Sequence, residues 1–74
     1  MAKLKTLSGR EVYRILSQSG FEEIRQRGSH IIMQKRTGES TITIPVPDHK
    51  EIRAGTLLSI IRQSRLNRNI FEVD

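Results

Sequence analysis

One histidine of this chain has neighbours that suit acid–base chemistry on a charged ligand. His30 follows Gly28-Ser29, a dipeptide typical of tight turns, and precedes Ile31-Ile32-Met33, a run typical of a strand. An imidazole can both accept and donate a proton near neutral pH. A histidine at the end of a hairpin is also commonly a plain surface residue, so the tripeptide alone leaves both interpretations open.

Two arginines lie just before this histidine. Arg25 and Arg27 are two residues apart, so on a strand their side chains point to the same face of the sheet. Guanidinium groups bind phosphate oxygens through paired donors, and a glycine beside them lets a bulky polyanion approach the backbone. His30 is therefore a candidate proton-transfer group, and the candidate phosphate-binding residues around it are Arg25, Arg27, Gly28, Ser29 and Lys35.

The composition limits what else the chain can be. Its 74 residues predict a single small domain over residues 1–74, with a core from about 5 to 71. The absence of cysteine excludes disulfides and thiolate chemistry. A net charge of +5 suits nucleic acid, an anionic membrane surface or an acidic protein. No apolar run resembles a spanning helix or a signal peptide, so we expect a cytoplasmic protein.

A helix is predicted at each end of the chain. Ser8 and Glu11 fit a capping box that begins a helix over residues 8–19, and Gly20 suits the left-handed residue after it. The second helix is predicted from a wide apolar face made of Leu57, Leu58, Ile60 and Ile61. After it, a final turn is expected, with a cap and two docked side chains at Asn67, Ile70 and Phe71.

Three strands are predicted between the helices, over residues 21–27, 30–35 and 41–46. Phe21 and Ile24 are the apolar anchors of the first strand, and their odd spacing predicts an irregular start. In the third strand, Pro45 has no N–H to donate, which favours a sheet edge or a bulge.

The order α-β-β-β-α with short connections predicts an α+β fold. Its three-stranded antiparallel sheet would carry both helices on one face and leave the other face open to solvent. Ile31 and Met33 outnumber Ile32 as apolar residues on their face of the second strand, so they are predicted to face the helices. His30 would then point to the open face.

Other chemistry is weakly supported. His49 lies in a polar connection after Pro47, where it is either a solvated loop residue or a secondary member of the site. Ser29 is badly placed as a nucleophile for His30, because neighbours on a strand point to opposite faces. Two histidines with scattered carboxylates do not form a zinc-ligand pattern, so we expect no metal and no cofactor.

Six short stretches of the chain resemble a known family. They are Leu7-Ser8-Gly9-Arg10-Glu11, Ser19-Gly20-Phe21, Arg27-Gly28-Ser29-His30, Ile44-Pro45-Val46-Pro47-Asp48-His49, Ile52-Arg53-Ala54-Gly55-Thr56-Leu57 and Ile60-Ile61-Arg62-Gln63-Ser64. In this order and spacing they are similar to the HicA toxins, small mRNA interferases also described as YcfA-like. The resemblance covers Lys5 to Phe71, and it departs from the family at Arg65, where a glycine is common.

The resemblance implies a fold like the double-stranded RNA-binding domain and an RNase whose catalytic histidine is His30. It also implies a HicB-like antitoxin as partner, with the toxin monomeric alone and hetero-oligomeric in the complex. RNA supplies its own nucleophile, the 2′-hydroxyl, so the protein needs to provide proton transfer and charge stabilisation, without a metal. The second proton-transfer group stays open among His49, Tyr13, a lysine and water.

Two other functions compete with a ribonuclease toxin acting on mRNA. One is a non-catalytic RNA-binding module of the same fold, since fold does not settle function. The other is a protein-interaction domain, which would leave the excess of arginine unexplained. The Gly-Ser-His motif favours the enzyme, because binding alone does not call for an imidazole at a glycine turn.

Overall fold

The computed structural model of the protein describes residues 3–4 and 6–73; residue 5, at the predicted start of the core, lies outside them. The elements in chain order are β1 (Lys3–Leu4), α1 (Gly9–Gln18), β2 (Glu22–Arg27), β3 (His30–Thr37), β4 (Ser40–Pro47), α2 (Ala54–Ser64), a 3₁₀ turn (Arg68–Phe71) and β5 (Glu72–Val73). The predicted α+β class and its α-β-β-β-α order are confirmed. A short antiparallel pair of β1 with β5 is added, which no sequence pattern indicates.

Both ends of α1 are fixed by local hydrogen bonds that the sequence predicts. The Ser8 hydroxyl accepts from the Glu11 N–H at 3.1 Å, and the Glu11 carboxylate accepts from the Ser8 N–H at 2.9 Å. At the other end, Gly20 adopts a φ of +97°, and the Phe21 N–H donates back to the Leu16 carbonyl at 3.0 Å. This is a Schellman ending, which requires a residue that tolerates positive φ.

The sheet is antiparallel, with the strand order β2-β3-β4. Two-residue turns join the strands at Gly28-Ser29 and Gly38-Glu39. A β-bulge interrupts β2 between Glu23 and Arg25, as the odd apolar spacing predicts. The expectation that Ile24 anchors the core is wrong: the bulge removes it from the paired register, and its side chain is exposed. Since β4 is an edge strand, Pro45 deprives the sheet of no ladder bond.

One face of the sheet carries the core. Ile31, Met33, Ile44 and Val46 are 0% exposed, and they form one cluster with α1 residues Val12 and Leu16 and with α2 residues Leu57, Ile60 and Ile61. Both helices therefore pack on the same face of the sheet, as predicted. Ile31 and Met33 of β3 face the helices, as predicted, and His30 is exposed on the other face. None of the helices that the structure describes is long and apolar enough to span a membrane.

The inward face of α2 is narrower than its sequence suggests. Leu58 is exposed, while Ser64 is buried and its hydroxyl donates to the Ile61 carbonyl at 2.7 Å. Leu58 lies about 100° around the helix from Leu57, on the side that the sheet does not cover. The wide apolar face expected from four aliphatic residues is thus corrected to a narrower one, made of Leu57, Ile60 and Ile61 with the buried Ser64 on the following turn.

The chain after α2 includes one strained residue. Arg65 has a φ of 61°, the left-handed conformation in which a side chain other than glycine costs about 1–2 kcal/mol. This is also the residue at which the sequence departs from the pattern of the family that it resembles. Asn67 caps the 3₁₀ turn as predicted, accepting from the Asn69 N–H at 2.9 Å. Phe71 is buried, but Ile70 is exposed, contrary to the expectation that both dock on the core.

Candidate active site

A tight turn determines where His30 stands. Gly28 and Ser29 are the two central residues of the β2–β3 hairpin, and Gly28 has a φ of +58°. A Cβ at Gly28 would meet nothing within 4 Å, so the positive φ, and not crowding, calls for glycine here. The turn brings Arg27 directly opposite His30 in the β2–β3 register.

His30 lies on the open face together with the two predicted arginines. Arg27 pairs with His30, and Arg25 pairs with Ile32, the next residue of β3 on the same face. Directly opposed residues have Cβ atoms about 4.5–5.5 Å apart. All three polar side chains are exposed. The structure therefore places one imidazole and two guanidiniums on a single accessible surface.

The hairpin turn is attached to the chain that follows β4. The Asp48 N–H donates to the Ser29 carbonyl at 2.6 Å, and the Asp48 carboxylate forms an ion pair with Arg10 of α1 at 3.2 Å. The Gly9 N–H donates to the His49 carbonyl at 2.8 Å. These contacts hold the turn before His30 against the start of α1.

Gly9 is needed for that attachment. A Cβ built on Gly9 would overlap the carbonyl oxygen of Pro47. The contact is between the main chain at Gly9 and the main chain at Pro47, so neither group can rotate away as a flexible side chain would. The close approach of α1 to the end of β4 therefore depends on a residue without a side chain.

A groove of about 530 Å³ opens beside His30, between the edge strand β4 and α2. His30, Pro45 and Pro47 form its wall on the sheet, since both prolines oppose open-face residues of β3. The wall on the helix includes Arg53, Thr56, Ser59 and Gln63. Because β3 lies between β2 and β4, His30 has the arginine pair on one side and the groove on the other.

This groove was not predicted from the sequence as a part of the site. Two signals were available: prolines at alternate positions of the third strand, and the polar residues Thr56, Ser59 and Gln63 at helical spacing. What the sequence does not give is the position of α2 relative to the edge of β4, which brings the two sets together.

A comparison with protein families shows to which family this chain belongs. The family model described as the HicA toxin of bacterial toxin–antitoxin systems matches residues 9–66. The chain belongs to the HicA toxin family. It is therefore a toxin of a toxin–antitoxin system, and the resemblance read from the sequence is confirmed. Searches of curated proteins and of solved structures found no match.

One predicted phosphate contact, Lys35, and one candidate for the second proton transfer, Tyr13, lie away from His30. The Lys35 ammonium donates to the Ser19 carbonyl at 2.9 Å, at the end of α1, and lies 5.8 Å from the centre of the Phe21 ring. Tyr13 belongs to α1, which covers the buried face of the sheet. The expectation that Lys35 joins the phosphate contacts is corrected, because odd-numbered residues of β3 point away from His30.

The second histidine of this HicA chain lies in the connection between β4 and α2. His49 is exposed, and its backbone carbonyl is the acceptor for Gly9. Within residues 3–4 and 6–73, no group of three or more histidine, cysteine, aspartate or glutamate side chains is placed to hold a metal ion.

Proposed function

We propose that this toxin is an endoribonuclease that cleaves mRNA in the cytoplasm, with His30 as general acid or general base. The observation that carries the proposal is the open face itself: an exposed imidazole directly opposite Arg27, one register pair from Arg25. A purely structural histidine at a hairpin end would gain nothing from two guanidiniums on its own face.

The reaction needs little from the protein. The 2′-oxygen forms a bond to phosphorus as the bond from phosphorus to the 5′-oxygen breaks, which leaves a 2′,3′-cyclic phosphate and a 5′-hydroxyl. His30 takes the proton from the 2′-hydroxyl or gives one to the 5′-oxygen, a contribution of about 10²–10⁴-fold. Arg25 and Arg27 neutralise the charge that develops on the non-bridging oxygens.

The other proton transfer falls to His49, to a lysine or to water. Tyr13 is separated from His30 by the sheet, since α1 lies against the buried face. His49 lies next to Asp48, whose N–H is bonded to the turn that precedes His30. Its loop is therefore near the site, although the proposal rests on His30 alone.

The partner that we propose is a HicB-like antitoxin that covers this open face. The face is exposed and cationic, so an acidic partner surface would neutralise it and exclude RNA at the same time. The toxin alone is proposed to be a monomer. Complex formation would then bring its cationic face into contact with the antitoxin.

The products of cleavage test the proposed reaction. We expect the purified toxin to cleave a labelled RNA in excess EDTA and to leave 2′,3′-cyclic phosphate or 3′-phosphate ends. A matched RNA with a single 2′-deoxy residue at the cleaved position should resist, because it lacks the nucleophile.

Other products would reject this mechanism. Cleavage that stops on chelation and returns with a divalent ion would indicate metal-assisted hydrolysis. Tight binding without any cleavage would favour the RNA-binding module instead.

A further inference from the structure

We propose that the groove between β4 and α2 is a subsite for one unpaired nucleotide next to the cleaved phosphate, and that Gln63 contacts its base. This inference rests on the proposed ribonuclease function and names a substrate feature of the same site. It assigns a task to residues of α2 that the proton-transfer chemistry does not use.

The position of the groove is the first support. His30 belongs both to the open face with Arg25 and Arg27 and to the wall of the groove. Neighbouring strands are about 4.8 Å apart. A phosphate at His30 on β3 would therefore lie one strand from the arginines on β2 and one strand from the groove at β4. An RNA chain that crosses the sheet with a phosphate on the arginines therefore delivers an adjacent nucleotide to the groove.

The size and walls of the groove suit a single nucleotide. Its volume of about 530 Å³ is within the range of small-molecule pockets, about 300–1,000 Å³. Pro45 and Pro47 give an apolar surface for the flat ring, and α2 gives polar side chains for the ring's edge. Such a combination suits unpaired bases, whose edges are free for hydrogen bonding.

The charge of the groove points to one nucleotide and not to a duplex. Among the described residues that line it, Arg53 is the one permanently charged cation. Arg53 immediately precedes α2 and is exposed. A duplex would present several phosphates to this surface, whereas a single nucleotide presents one.

Gln63 has the group best suited to contact the base. Its side-chain amide donates to the Ser59 hydroxyl at 2.9 Å, which orients the amide within the polar row of Thr56, Ser59 and Gln63. An amide has two donors and a carbonyl acceptor. The bond to Ser59 uses one donor, so a donor and the acceptor can meet adjacent groups on the edge of a base.

The experiment combines a protein change with a substrate change. We would measure single-turnover cleavage of short RNAs that carry an abasic ribonucleotide at each position beside the cleaved bond, using the wild type, Gln63→Ala and Gln63→Glu. Gln18→Ala is the matched control: Gln18 is also an exposed glutamine near the end of a helix, but it belongs to α1.

We expect Gln63→Ala to lower kcat/KM about tenfold, the effect of losing a hydrogen-bonded contact, and one abasic position to lower it further, because it removes the proline contacts as well. On the RNA with that abasic position, Gln63→Ala should cause no additional loss, because its partner is already absent. Gln63→Glu should be at least as impaired, since a carboxylate offers no donor. Gln18→Ala should match the wild type, and all variants should share its thermal midpoint.

Two results would overturn the subsite while leaving the ribonuclease in place. One is cleavage by Gln63→Ala at the wild-type rate and with unchanged sensitivity to abasic sites. The other is fully additive losses, which would mean that the base is contacted elsewhere. Absence of cleavage by the wild type would instead reject the proposed function. The same variants and abasic positions would then be compared in the affinity for 2′-deoxy RNA. Additive losses of affinity, or no loss, would again reject the subsite.

Discussion

The two faces of strand β3 differ in what their side chains do. Ile31 and Met33 are fully buried against the helices, whereas His30, between the turn and the groove, is exposed with Arg27 opposite it. Residues that are neighbours in sequence thus serve folding on one side and, in the proposed function, chemistry on the other. Because the side-chain period of a strand is two, substitutions on the two faces should have separable effects.

The largest effect on stability is expected on the buried face. Met33→Ala should lower the free energy of unfolding by about 2–5 kcal/mol, because it leaves a cavity in the core. Ile32→Ala is the matched control, since Ile32 is the next residue of the same strand but lies on the open face and is only partly buried. We expect it to cost less than about 1 kcal/mol.

Urea unfolding of the two variants measures this difference. The free energy of unfolding of a folded protein is about 5–15 kcal/mol, so the loss caused by Met33→Ala would be a large fraction of it. Equal losses for Met33→Ala and Ile32→Ala would mean that the two faces are packed alike, against the burial seen in the structure.

A smaller effect is expected on RNA affinity from the open face. Arg27→Gln should weaken binding of a non-cleavable 2′-deoxy RNA and reduce the slope of log K against log salt by about 0.7, the value for one single-strand phosphate contact. Arg36→Gln is the control: Arg36 is exposed on the same face, but six residues from His30, or about 20 Å along the strand.

A salt series with both variants separates a local clamp from general attraction. We expect Arg36→Gln to change the affinity less than Arg27→Gln. Equal changes would mean that the whole basic face attracts RNA without a defined contact at His30. Wild-type behaviour of Arg27→Gln would place the phosphate contact on another cation, with Arg53 in the groove the next candidate.

Local signals made most of the fold predictable from the sequence. The capping box at Ser8 and Glu11, the glycine that ends α1, and the Gly28-Ser29 turn all depend on residues within one turn of each other. The alternation of side chains along β3 then predicted that His30 lies on the open face of the sheet. These features are determined by short-range hydrogen bonds and by the strand period, which a single sequence displays directly.

The errors concern positions that depend on tertiary contacts. Leu58 and Ile24 are apolar but exposed, since the sheet covers only part of α2 and the bulge removes Ile24 from the paired register. Lys35 looks like a phosphate ligand in sequence, yet it binds the end of α1. The groove beside His30 depends on how α2 packs beside β4, for which no local pattern exists.

The role of His30 is tested most directly by single-turnover cleavage of a labelled RNA by His30→Ala. Gln34→Ala is the control, because Gln34 lies on the same face of the same strand and bonds to Thr43 at 3.2 Å, away from the turn. We expect His30→Ala to lose about 10²–10⁴-fold in rate while it keeps the wild-type thermal midpoint to within a few degrees. Gln34→Ala should retain most activity. Cleavage by His30→Ala at the wild-type rate would contradict the catalytic assignment of the open face.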